Sequence, residues 1–312
     1  MIQPRSLIVA FLTARAACLG QVALGGAQSG FVTDHAAQSL RPVIGIPGAA
    51  YLGRRVALPF GVREAEVRGG IAVVVSSEEE PRAYLVRGLG GAEPTARLLG
   101  AADSAHLSDQ GTVALLADSR EGTLRFVTGL DSTPAPSLPA PGAARLAAFE
   151  GESGCAFLLG GKTLEAMCAD RPAERRALRE LEGDAAAMFY SEAHGGLFVA
   201  DRELRRVIRL APPVETSEIE VLAEGLADLK GVRAISKHEI AAVHAEPARA
   251  VVIDLRRRAV TGAIELPAPP EKMAYLAAGR ILELSRVNRS PLMVIDLAQD
   301  RGAFLIPAGE SQ

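Results

Sequence analysis

The sequence predicts an all-β fold, a seven-bladed β-propeller built from four-stranded antiparallel blades of about 42 residues. Three observations predict it: a short apolar strand recurs along the chain, glycine usually precedes that strand, and turn-forming residues separate the strands. The recurring strands begin at Phe31, Ile71, Thr112, Cys155, Leu197, Ile240 and Ile281, so successive repeats span 40, 41, 43, 42, 43 and 41 residues. Six blades remain the alternative, because it is not evident how the ring closes.

Each repeat is expected to hold the same four strands in the same order. A short innermost strand precedes the glycine turn, the recurring strand follows, and a third strand and a more polar fourth strand complete the blade. Alternation such as that of Leu124 and Phe126 fits the pleat of a sheet. Arg171–Leu181 has a composition typical of a helix, yet the repeat places an outer strand there. We expect the strand and keep a short helix as the alternative.

The N-terminus has the pattern of a secretory signal peptide over residues 1–27. Arg5 precedes the apolar run Ser6–Ala14, which is too short to span a bilayer, and small residues lead up to a cleavage site after Ala27. We therefore expect an exported protein, periplasmic or extracellular, whose residues 28–312 form a single propeller domain. A retained N-terminus is the alternative, because Gln21–Leu24 could supply the innermost strand that the first repeat lacks. Otherwise the first blade has three strands.

Composition excludes several classes of protein. The 312 residues include 34 Lys and Arg against 37 Asp and Glu, a formal charge of −3, and 48% are hydrophobic. A disordered chain would be poorer in apolar residues, and a nucleic-acid-binding surface needs an excess of basic residues. No run after the leader is long and uncharged enough to cross a membrane. We expect a monomer that binds no nucleic acid.

Two third strands resemble those of a known repeat family. Val251–Leu255 (VVIDL) and Met293–Leu297 (MVIDL) resemble the YVTN-type propeller repeats of secreted microbial proteins. The region Phe31–Gly48 is similar to the start of propeller-like exported proteins of soil acidobacteria, a group mostly without assigned function. The resemblance implies a surface or periplasmic propeller and carries no catalytic residues over.

Aspartates recur at the ends of second strands. Asp34, Asp118 and Asp201 end FVTD, LLAD and FVAD, and His106 falls in an innermost strand. One hypothesis is a ligand-binding ring of carboxylates at one channel mouth, where Ca²⁺ could bind. The other is that each aspartate accepts N–H groups of the following turn, which the recurrence favours. The remaining histidines fall on both faces of the ring, so no zinc site is expected. We predict no cofactor, with a divalent cation as the alternative.

Two cysteines, Cys155 and Cys168, lie in one blade after the leader. A two-residue turn would place Cys155 opposite Ala166, two residues short of its partner, and a bulge could close that gap. An oxidising compartment would permit a disulfide, so a bridge and free buried thiols both remain open.

The function predicted from these observations is non-enzymatic binding. The chain has no G-x-S-x-G elbow, P-loop or H-E-x-x-H motif. We expect a partner in the envelope or outside the cell, a protein or a polysaccharide. The alternative is a metal-dependent propeller hydrolase or lactonase with its site at the channel mouth.

Overall fold

A computed structural model describes residues 28–46, 48–91, 93–137, 139–276, 281–288, 290–297 and 301–308. Within these residues seven small antiparallel sheets form a ring, which confirms the predicted seven-bladed propeller. The predicted leader and the strand considered at Gln21–Leu24 lie outside the described residues. No helix in the described ranges is long and apolar enough to cross a membrane.

The strands follow the blades in chain order. Blade 1 holds β1 (Gln28–Asp34), β2 (Ser39–Ile44) and β3 (Tyr51–Leu52). Blade 2 holds β4 (Val62–Arg68), β5 (Ile71–Ser76), β6 (Arg82–Arg87) and β7 (Thr95–Ala101). Blade 3 holds β8 (Ser104–Leu107), β9 (Ala114–Asp118), β10 (Thr123–Thr128), β11 (Ala135–Pro136) and β12 (Ala140–Pro141). Both of the last two strands pair with β10.

The second half of the ring is more regular. Blade 4 holds β13 (Leu146–Phe149), β14 (Cys155–Leu159), β15 (Thr163–Cys168) and β16 (Arg171–Glu180). Blade 5 holds β17 (Ala185–Ser191), a 3₁₀ turn (Glu192–His194), β18 (Gly196–Asp201), β19 (Arg206–Leu210) and β20 (Ile219–Glu224). Blade 6 holds β21 (Ala227–Ser236), β22 (Glu239–Glu246), β23 (Ala248–Asp254) and β24 (Ala259–Glu265). Blade 7 holds β25 (Ala274–Tyr275), β26 (Ile281–Glu283), β27 (Leu292–Asp296) and β28 (Gly302–Ile306).

The core lies between the blades. Strand pleating sends alternate side chains to opposite faces of a sheet, and here a neighbouring blade covers each face. In β5, Val73 and Val75 pack toward blade 3, whereas Ala72 and Val74 pack toward blade 1. This is why the second strands read as continuous apolar runs. The arrangement repeats at every junction, including the one between blades 7 and 1.

The outer segment of helical composition is a strand. The segment Arg171–Glu180 forms β16, the outermost strand of blade 4, and pairs with β15 through two irregularities in register. Helix propensity is worth less than about 1 kcal/mol per residue, so the edge of β15 and packing on the next blade decide the conformation.

Blade 1 closes the ring with three strands in the described part of the chain. β1 pairs with β2 on one side, and on its inner side makes a single parallel bridge, Asp34 to Val287. Gly30 (φ +148°) lies so close to blade 7 that a Cβ there would be 1.8 Å from the Leu276 carbonyl oxygen. Buried Arg41 donates to Asp34 Oδ2 at 3.2 Å and to the Ala308 carbonyl at 3.1 Å, which ties the first blade to the end of the described chain.

A disulfide joins Cys155 to Cys168 across β14 and β15. The two residues are directly paired, and Leu159 pairs with Leu164, so four residues, 160–163, separate the last pair of the hairpin. The simple two-residue turn considered from the sequence, which would set Cys155 opposite Ala166, is therefore not the one that forms. The two extra turn residues, rather than a bulge, shift the register and bring the cysteines together.

Candidate binding site in the central channel

The three aspartates selected from the sequence bind the turns that follow their own strands. Asp118 Oδ1 accepts the backbone N–H groups of Arg120 and Glu121 at 3.1 and 3.2 Å. In Asp34 and Asp201 the same atom accepts the N–H group three residues further along, at 2.9 and 3.0 Å. These hydrogen bonds are the ones expected of the turn-forming interpretation.

The structure does not bring these aspartates together with His106. Each aspartate ends a second strand, in blades 1, 3 and 5, at the face of the ring opposite the turns between first and second strands. His106 lies in β8 and lines the channel. In the described residues no group of three or more His, Cys, Asp or Glu side chains is arranged to hold a metal ion.

The other histidines lie where the repeat places them. His194 and His238 are in turns between first and second strands, His35 follows β1, and His244 lies within β22. His194 joins two blades, because its Nε2 lies 2.6 Å from the Ser236 carbonyl oxygen. These positions are on different faces and strands, as the sequence predicted.

The innermost strands surround a channel cavity of about 440 Å³. One half of its wall is apolar and comes from blades 4 and 5, namely 146–149 and 186–190. The other half is charged and comes from blades 2, 3, 6 and 7. The charged and titratable residues of that half are Glu64, Glu66, Arg68, His106, Asp109, Lys230, Arg233 and Lys272. Residues of the first-to-second-strand turns, such as Gln110 and Glu192, also line the cavity, so it reaches that face of the ring.

Strand β4 contributes an alternating series of charges, Glu64, Glu66 and Arg68. Glu66 is held by blade 3: its Oε2 accepts the Leu107 N–H at 3.0 Å, and its Oε1 lies 3.8 Å from His106 Nδ1. Glu64 is open to water in the channel, but the surrounding walls raise its pKa, and the neighbouring carboxylate of Glu66 raises it further.

Two of the channel cations are partnered by carboxylates of their own blade. Lys230 Nζ lies 2.7 Å from Asp228 Oδ1, and Lys272 Nζ lies 2.8 Å from Glu283 Oε1. Glu283 is buried, with 5% of its surface exposed, and this burial raises the pKa of its carboxyl despite the opposing charge of Lys272. The charges of these two lysines are therefore partnered within their own blades.

Arg68 and Arg233 are different, because they flank an aromatic ring. The guanidinium carbon of Arg68 lies 5.5 Å from the centre of the Tyr275 ring, and that of Arg233 lies 6.0 Å from it. Both distances are within cation–π range. The Tyr275 hydroxyl donates to the Ala234 carbonyl at 3.0 Å, which fixes the ring between the blades. Burial raises the pKa of Tyr275, while Arg233 and Arg68 oppose that rise.

Sequence reasoning missed this group of channel residues. The available signal was charge at alternate positions of an innermost strand, as in Glu64, Glu66 and Arg68 of β4. Such a strand borders the channel, where charged side chains find water that the faces packed between blades exclude. Arg233 and Tyr275 belong to blades 6 and 7, so only the closed ring shows that they meet Arg68.

Comparison with known proteins gives the fold and no more. No family model matches the chain, and no curated protein matches it. Among solved structures, a chain of the nidogen/laminin complex is similar at 13% identity and TM-score 0.51, over 76% of this chain and 92% of that one. The U3-55K structure is similar at 11% identity and TM-score 0.55, over 80% of this chain and 82% of that one. A functionally unknown protein from Desulfotomaculum acetoxidans DSM 771 is similar at 11% identity and TM-score 0.54, over 84% of this chain and 90% of that one. The chain is thus similar in fold to propeller-like structures.

Proposed function

We propose that this chain is an exported, non-enzymatic binding protein whose channel mouth engages a protein of the cell envelope or the extracellular space. This channel mouth lies at the turns between first and second strands and is lined by Asp109, Gln110 and Glu192. The proposal agrees with the resemblance to secreted YVTN-type repeats.

One observation carries this proposal: the channel mouth holds charged groups that form no ion pair with other described residues of the ring. Arg68 and Arg233 reach an open cavity, whereas Asp34, Asp118 and Asp201 are bound to their own turns. Polar groups that converge in a concave site with an apolar wall are typical of a binding site. The aspartates on which a metal-dependent hydrolase would depend are already engaged.

A protein partner is favoured over a polysaccharide by the apolar half of the wall. Phe149 and Tyr190 line it and are partly exposed, and they suit the side chains of a peptide better than a polyhydroxylated surface. One similar chain comes from a complex of nidogen and laminin, an assembly of proteins, which supports the same choice.

Export is supported by two features of the chain. The leader pattern of residues 1–27 is one, and the disulfide between Cys155 and Cys168 is the other. Disulfides persist in secreted and periplasmic proteins and are rare where thiols are kept reduced. Mass spectrometry of the protein recovered from the native host tests this part: a start at Gln28 in a periplasmic or culture fraction is expected, and an intact N-terminus in the cytosol contradicts it.

The binding claim is tested by affinity capture with matched variants. Ala186 lies on the channel wall in β17 and is partly exposed, so Ala186→Arg places a bulky side chain in the channel. Glu121→Gln changes the charge by the same amount at an exposed turn of the opposite face. Each protein is immobilised and exposed to envelope extract of the native host.

The expected result is one protein retained by wild type and by Glu121→Gln and lost from Ala186→Arg. Thermal melts of the three proteins verify that each is folded. Retention that is lost instead with Glu121→Gln would place the binding surface on the other face. Capture of a polysaccharide alone would overturn the choice of a protein partner.

A further inference from the structure

We propose that Arg68 and Arg233 form a site for carboxylate groups of an acidic peptide segment, at the channel mouth across the ring of Tyr275. The inference rests on the proposed function, because it names the ligand chemistry of the same mouth.

The two arginines are held in the same way. In each, Nη1 donates to the carbonyl oxygen of the preceding residue, Val67 or Val232, at 2.8 Å. Among the residues the structure describes, no carboxylate oxygen lies within 4.0 Å of either guanidinium. Each guanidinium group is therefore held by one hydrogen bond, and its other Nη–H groups are left to donate to a ligand. Guanidinium groups present donors in a geometry that matches a carboxylate.

The Arg68 side chain is also incompletely satisfied. In the described part of the chain its Nε is buried without a hydrogen-bond partner. Unpaired buried donors are rare in folded proteins and call for a physical explanation. The two guanidinium groups beside one ring also repel each other, and a ligand anion bound to their free donors reduces that repulsion. A ligand carboxylate that accepts from the free Nη groups supplies that negative charge, whereas the buried Nε lies out of its reach.

The charges further along β4 restrict how far such a ligand enters. Glu66 and Glu64 precede Arg68 at alternate positions, so they lie about 7 Å and about 14 Å deeper along the strand. They repel an anion from the channel interior and keep it at the mouth. Asp109 also faces this mouth, exposed to solvent and outside ion-pair distance of both arginines. The apolar wall at Phe149, which is partly exposed, then faces the uncharged part of the ligand.

The test measures binding of a defined probe to the full chain by calorimetry. The probe is a short synthetic peptide that alternates glutamate with leucine, and the control peptide carries glutamine in place of glutamate. Arg68→Gln and Arg233→Gln are each expected to weaken binding of the acidic probe roughly tenfold to a hundredfold, the value of a lost charge-assisted hydrogen bond. Arg97→Gln, an exposed arginine on the outermost strand of the same blade, is expected to leave binding unchanged.

A third variant and a second ligand complete the binding measurements. Arg68→Lys retains the charge without the fork, so an intermediate affinity is expected, and it replaces Arg68→Gln should that variant fail to fold. Equal binding of both peptides, or equal binding by wild type and both glutamine variants, would overturn the site. Arginine-dependent binding of trigalacturonate without binding of the peptide would overturn the assignment to a peptide ligand.

Failure of this inference and failure of the proposed function give different results. A partner that Ala186→Arg loses but both arginine variants retain leaves the channel mouth as the binding surface and removes the anion site. No captured partner and no bound probe would remove both.

Discussion

Removing the disulfide of blade 4 is expected to destabilise the protein by about 3 kcal/mol. The bridge joins residues 13 apart in sequence, and closing a loop of this size restricts the unfolded chain by that amount at 25 °C. The perturbation is the double substitution Cys155→Ser and Cys168→Ser. Both positions are only partly buried and lie on paired strands, so serine adds little penalty of its own.

The assay is equilibrium unfolding in urea, followed by circular dichroism, for wild type and the double variant. In a thermal melt of a chain of this length, the same difference corresponds to a fall in Tm of about 5 °C. Reductant supplies the matched control: it should lower the stability of wild type to that of the variant and leave the variant unchanged.

Two results would refute the reasoning. Equal stability of oxidised wild type and the double variant would mean that the bridge does not restrict the unfolded chain. A mass unchanged by reduction would mean that the bridge does not form.

Two further predictions concern the junction of blades 6 and 7. Gly231→Ala is expected to destabilise the protein by about 1–3 kcal/mol through overpacking, because the added Cβ would lie 2.2 Å from the Cβ of Met273. In the control, Gly262→Ala, the nearest atom to the added Cβ is 4.0 Å away, so no loss of stability is expected. Urea unfolding compares the two variants, and equal stability would contradict the close contact between Gly231 and Met273. Lys272→Met leaves buried Glu283 without its ion-pair partner and should cost about 2 kcal/mol at pH 7, less than a fully buried pair because 31% of the lysine side chain is exposed. The raised pKa of Glu283 means that the folded state favours its neutral form, which needs no ion-pair partner. The loss of stability caused by Lys272→Met should therefore shrink as the pH falls from 7 toward the usual carboxyl value of 4.5. A loss of stability that does not change with pH would contradict this role of Lys272.

The fold could be predicted because each propeller blade is formed by strands that are close together in the sequence. Each blade needs an apolar strand buried on both faces and turns around it, so the period of the strands is readable without knowing any long-range contact. The strand at Arg171–Glu180 was predicted by that period alone, against its own helical composition.

The register of the disulfide hairpin could not be predicted, because it depends on the length of one turn. Gly160 and Gly161 are typical turn residues, and nothing in the sequence showed that residues 162 and 163 also lie between the last paired residues, Leu159 and Leu164. A change of two residues in that turn decides whether Cys155 faces Ala166 or Cys168.

The candidate site depends on contacts between blades that are distant in sequence. Recurrence led to Asp34, Asp118 and Asp201, because turn chemistry repeats with the blades. A binding site does not repeat: Arg68 and Tyr275 come from opposite ends of the chain and meet only where the ring closes. Periodicity is therefore informative about the scaffold and uninformative about the site.

The central claim is that partners bind at the channel mouth on the face of the first-to-second-strand turns. Hydrogen exchange of the protein, alone and with the captured partner, tests it most directly. We predict slower exchange in the turns 109–111, 151–154 and 192–195 and no change in the opposite turns 118–122 and 254–258. Protection of the opposite turns alone, with the channel mouth unaffected, would contradict the account.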